Sequence, residues 1–65
     1  MTTLKIEINT GNAAFADGFE GRESARILKQ LAEWLSYRES LDGYATRLRD
    51  SNGNTVGKVW VEADV

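Results

Sequence analysis

The chain contains no cysteine, no histidine and no proline. Without the first two there can be no disulfide, no zinc cluster and no thiolate chemistry. An acid, base or nucleophile would have to come from carboxylates, Lys, Tyr, Ser or Thr. No carboxylate pair is set by the sequence in an apolar pocket, so an enzyme is not expected, nor a cofactor or metal. Long apolar runs are missing as well. The opening "MTTLKIEINT" lacks the apolar core of a signal peptide, and no segment is long enough to span a bilayer, so a cytosolic protein with no membrane partner is expected. Positive charge is scarce: 8 Lys and Arg face 10 Asp and Glu, for a net charge of −2 and a pI near 4.9. Sequence-independent nucleic-acid binding needs a cationic footprint, so no direct nucleic-acid contact is expected.

What is present is one domain, residues 1–65, of a size that buries only roughly 60% of its unfolded surface. "LKIEIN" alternates, with Leu4, Ile6 and Ile8 on one face and Lys5, Glu7 and Asn9 on the other, as in a half-buried strand. "RESARILKQLAEWLSYRE" has the helical period. Ile27, Leu28, Leu31, Trp34 and Leu35 form one stripe, extended by Ala25 and Ala32. That stripe puts Trp34 in the core. "SLDG" is read as the end of the helix, with Gly43 as a left-handed stop.

"YATRLRD" and "TVGKVWVEA" read as two strands joined through Asn52-Gly53, a pair in which both residues tolerate positive φ. A bulge near Gly57 would bring Val56, Val59 and Val61 to one side and leave Trp60 on the outer face. The expected architecture is α+β, in the order β-α-β-β. A three-stranded antiparallel sheet in the order 2-3-1 carries one helix on one face. Ile6, Ile8, Leu28, Leu31, Leu35 and Leu48 are expected to share one core.

The loop "NTGNAAFADGFEG" invites comparison with a phosphate cradle, because a Gly-rich turn leads into a helix N-terminus. Asp17, Glu20 and Glu23 crowd that helix start and would repel an anion. Asp17 and Glu20 have capping-box spacing, and the acids complement the helix dipole. The preferred reading is a capped connector with Phe15 or Phe19 plugging the edge of the core. The other reading is an acidic surface offered to a cationic partner. "GNTVGK" is one residue short of a Walker loop and has no Ser or Thr after Lys58. "DSNGN" has one carboxylate and lacks the downstream Glu of a calcium loop. Both are better read as hairpin.

The sheet face turned away from the helix has no second layer. Lys5, Glu7, Arg47, Arg49, Lys58, Trp60 and Glu62 are its expected occupants. There Trp60 is either an exposed anchor of the kind enriched at binding hot spots or a ring sheltered by the stem of Lys58.

The segments "IEINTGNAAF", "ARILKQLAEWL" and "LRDSNGNTVGKV" together resemble a family of very small proteins encoded in prophages and mobile elements of proteobacteria. Nearly the whole chain takes part. The chain also looks like the small phage anti-CRISPR inhibitors of type I-C systems. That resemblance implies a protein of the host bacterial cytoplasm that binds the Cascade surveillance complex at its large, Cas8-type subunit and blocks target DNA. The family has no motif that transfers contact residues. Charge selects Asp17, Glu20, Glu23, Glu33, Glu62 and Asp64, and the expected outer-face position adds Trp60, as the partner-binding set. Carboxylates on a rigid scaffold could occupy positions where phosphates would sit and speed encounter with a basic surface. A monomer is expected in that case. The competing reading is a small phage accessory or structural module that associates through its open sheet face and Trp60.

Overall fold

The computed structural model describes residues 2–63. Strand β1 (Thr2–Ile8) is followed by a single 3-10 turn (Ala13–Phe15), helix α1 (Glu20–Ser36), strand β2 (Ala45–Arg49) and strand β3 (Thr55–Ala63). The three strands form one antiparallel sheet in the order β1-β3-β2, the α+β arrangement expected from the alternation of strand and helix periods. β3 takes the centre because it is the longest and most apolar strand and can be covered on both edges.

The helix-facing side of the sheet follows from the pairing register. Leu4 lies opposite Val61, Ile6 opposite Val59, and Thr46 also opposite Val59. The register of β2 on β3 shifts between Leu48, which pairs with Gly57, and Arg49, which pairs with Thr55. Val56 is therefore the extra residue of a bulge, and it is buried in the same cluster as Val59. A bulge is the geometry that reconciles two valines an odd number of residues apart with one core.

Gly57 beside the bulge has no alternative. A Cβ there would overlap the carbonyl oxygen of Glu7 and lie 3.1 Å from the Cα of Ile8.

The core consists of Phe15, Ile27, Leu31, Leu48, Val56 and Val59, with Leu4, Ile8, Leu35 and Tyr44 packed around it. Two expected members are not in it: Ile6 is 44% exposed and Leu28 is 41% exposed. The buried strand residues come from β2 and β3, so the helix covers that half of the sheet. Edge strand β1 and the Leu28 flank of the helix are left partly open. Trp34, expected inside, is 38% exposed on the opposite flank. Ala25 and Ala32 face solvent. Of the two candidate plugs, Phe15 is buried and Phe19 is not.

The chain enters and leaves the helix differently from the sequence reading. Asp17 (φ 56) and Gly18 (φ 85) both adopt positive φ, and the Phe19 amide donates to the Ala16 carbonyl. This is a tight turn with both central residues left-handed. The N-cap is Phe19, which has no side-chain oxygen, so the Asp17–Glu20 capping box does not form. The helix stops at Ser36, whose hydroxyl donates back to the Glu33 carbonyl at 2.6 Å. Gly43 is left-handed (φ 69), but it lies past the helix, in a turn closed by the Tyr44 amide on the Leu41 carbonyl.

At the hairpin only Gly53 has positive φ, so the loop is not a two-residue mirror-image turn. The Gly53 amide donates to the Asp50 carbonyl and the Asp50 amide to the Asn54 carbonyl. A three-residue loop ending in a left-handed glycine fits that pattern. Among the described residues no helix is long and apolar enough to cross a membrane.

Candidate interaction surface

The acidic residues do not form one surface. Asp17 and Glu20 are exposed at the start of the helix. Glu23, one turn further on, is only 7% exposed and points inward. Its carboxylate accepts two hydrogen bonds from Arg26, at 2.8 and 3.0 Å, and one from the backbone amide of Ser51 at 2.7 Å. Arg26 in turn donates to the carbonyl of Arg49 at 3.1 Å. The arginine bond, reinforced by the Ser51 amide, holds the Glu23 carboxyl below the usual carboxylate range against the opposing effect of burial. The same pairing raises Arg26. Glu23 is thus part of a latch that ties the helix to the β2–β3 hairpin, and its oxygens are already occupied.

Glu33 is exposed, but it does not share the face of Glu23. Ten residues at about 100° each fall about 80° short of three full turns. That difference carries position 33 from the sheet side to the solvent side.

Asp50, the other buried carboxylate, is also occupied. One oxygen accepts the amides of Asn52 and Asn54, at 2.9 and 2.8 Å, and the other lies 3.4 Å from the Asn54 side-chain amide. It holds the hairpin loop in shape. Sequence reasoning missed both roles. "DSNG" does carry a signal for the second, since an Asp ahead of Ser-Asn-Gly can bond the amides that follow it.

The outer sheet face is assembled as expected. Lys5 lies opposite Trp60, Glu7 and Arg47 opposite Lys58, Ala45 opposite Trp60, and Thr3 opposite Glu62. Arg49, two residues after Arg47, lies on the same side. Trp60 is half-buried at the centre of this face. Its ring is flanked by the Lys58 ammonium, 4.8 Å from the ring centre, and its Nε1–H donates to Glu62 at 3.0 Å. The ring faces outward as expected, and Lys58 shelters it. The face carries Lys5, Arg47, Arg49 and Lys58 against Glu7 and Glu62, a positive excess in a chain whose net charge is −2.

Of the seven residues selected by charge and exposure, the structure brings together Trp60 and Glu62 on the sheet and Asp17 and Glu20 at the helix start. It turns Glu23 inward and leaves Glu33 apart. Asp64 lies outside the described residues. No family model matches the chain, and neither a curated protein nor a solved structure matches it.

Proposed function

We propose that this protein acts by binding another macromolecule rather than by catalysis, and that the outer sheet face centred on Trp60 is its contact surface. The observation that carries the proposal is the setting of that ring. A tryptophan stands outward on the central strand, between Lys5 and Ala45 of the flanking strands, with its indole N–H and ring face oriented by Glu62 and Lys58. A large aromatic held in one orientation loses little entropy on binding, which is why Trp anchors hot spots. Both buried carboxylates are committed to hairpin and helix contacts, which supports a scaffold over a catalytic centre.

The resemblance to type I-C anti-CRISPR inhibitors supplies the candidate partner, the large subunit of Cascade in a host cytoplasm. The test is equilibrium binding of the purified chain to purified type I-C Cascade, followed by pull-down from host lysate. Trp60→Ala is expected to stay folded and to lose about 2 kcal/mol or more of binding, about 30-fold. A folded Trp60→Ala that binds at full strength removes this face from the interface.

A second reading, acidic mimicry of DNA, is favoured by one observation: Asp17 and Glu20 are both exposed beside a tight turn with left-handed residues. Under that reading the double variant Asp17→Lys, Glu20→Lys loses inhibition of target-DNA binding while Trp60→Ala keeps it.

A further inference from the structure

The outer face does not account for the groove between α1 and the free edge of β2. Among the described residues β2 has β3 as its one strand neighbour, so its other edge has no strand partner there. Beside that edge the helix presents Arg26, Gln30 and Trp34, spaced four residues apart and so stacked along one flank. With Thr46, Arg47 and Arg49 they line an open groove that ends at the hairpin loop.

Backbone orientation along β2 can be read from one bond. The Arg49 carbonyl accepts Arg26, so it faces the helix side rather than β3. Along an antiparallel strand the groups turned toward a given neighbour alternate, so the N–H of Arg47 faces the same free side.

The charge of the groove is one-sided. Arg26 is neutralised by Glu23, but Arg47 is exposed, and Arg49 is exposed with its guanidinium donating to the carbonyl of Gly53 at 3.3 Å. The carboxylate among the lining residues is Asp50, whose oxygens are taken by the loop. Arg47 and Arg49 stand on the outer side of β2, and Trp34 and Gln30 flank its inner side.

We propose that this edge takes an extended acidic peptide segment as a fourth strand. Alternate side chains of that segment are carboxylates set against Arg47 and Arg49, and the intervening ones are apolar and set against Trp34. The Arg49 carbonyl on this edge is taken by Arg26, and the Arg47 carbonyl accepts the Thr46 hydroxyl at 3.5 Å. The outward Arg47 amide still selects a polypeptide carbonyl, since strand addition supplies affinity through main-chain bonds and specificity through alternate side chains. The excess of arginine selects its charge. This contact adjoins the Trp60 face but does not depend on it.

The probe is a fluorescein-labelled, end-capped peptide of alternating Glu and Val, titrated with the full chain by anisotropy, with amide shifts and hydrogen exchange followed by NMR. Saturable binding is expected, with slowed exchange at the Arg47 amide and shifts at the Trp34 indole. The double variant Arg47→Glu, Arg49→Glu should weaken binding by about tenfold or more, and Trp60→Ala should leave it within about twofold. A second probe, N-methylated at the amides that would pair with β2, should not bind, and this arm is independent of any variant's folding. Three results would overturn the proposal. One is no saturation up to about 1 mM peptide, a weak limit even for a transient contact. Another is equal binding of an alternating Lys and Val peptide. The third is a set of shifts confined to Lys5, Lys58 and Trp60, which would put the peptide on the outer face and leave the proposed function standing.

Discussion

Glu23 and Ser51 lie 28 positions apart, yet the carboxylate of one accepts the backbone amide of the other at 2.7 Å. This bond, with Arg26 on the same carboxylate, joins the first half of the helix to the hairpin loop. The Ser51 amide, which would otherwise need water, is satisfied from the helix.

The latch makes stability depend on pH in a defined direction. The Glu23 carboxyl titrates below its ordinary value in the folded chain, chiefly because of the Arg26 bond. The unfolded chain therefore binds more protons in this range, and stability rises with pH there. The contribution is complete above the ordinary glutamate value, about 4.3, and is lost as pH falls through the lower folded value. Urea denaturation across the acid range should show Glu23→Gln less stable than the parent at neutral pH, with the difference shrinking toward low pH. A constant difference would mean that the carboxylate charge contributes nothing to the latch.

Leu31 and Leu28 occupy the same predicted stripe but differ in burial, 2% exposed against 41%. Leu31→Ala is expected to cost about 2–5 kcal/mol, as large-to-small changes in a core do. Leu28→Ala removes side-chain atoms that are already half in water and should cost less than half as much. Thermal melts of the two variants check this directly. Equal losses would place the helix differently on the sheet.

Gly57→Ala should be severe for its size. The added methyl meets the β1 backbone, which cannot swing away as a side-chain tip could. The cost is expected at or above the top of the roughly 1–3 kcal/mol range for overpacking. In a domain of this length each kcal/mol moves the melting temperature by about 4–8 °C. Gly21→Ala is the control. Nothing lies within 4 Å of a methyl there, and the position is helical, so the melting temperature should hold or rise.

Element types were legible in the sequence because they follow from local period, and sheet order because β3 is the most apolar strand and so belongs in the centre. Alternation in "LKIEIN", a 3.6-residue stripe in "ARILKQLAEWL" and a turn pair between two apolar runs are each signals within a few residues. The bulge was legible too, since only an extra residue puts Val56 and Val59 on one side. Lys58 and Glu62, which contact the Trp60 ring, are its i−2 and i+2 neighbours on the strand, so that part of its setting was also local.

Tertiary structure decided what depends on where the helix lies across the sheet. A periodic stripe says which side of a helix is apolar, but not how far it is rotated or which strands it covers. So Ile6, Leu28 and Trp34 stand partly in solvent although each carries the pattern of a core residue. The same lateral placement turns Glu23 toward the hairpin while Glu20 stays in water, so two acids three residues apart become one structural latch and one exposed carboxylate. Charge in a sequence carries no direction. Only the docking of the helix against the hairpin assigns one: a buried carboxylate must find donors, and while Arg26 is three residues away on the same helix, the Ser51 amide that completes the set lies 28 positions along the chain.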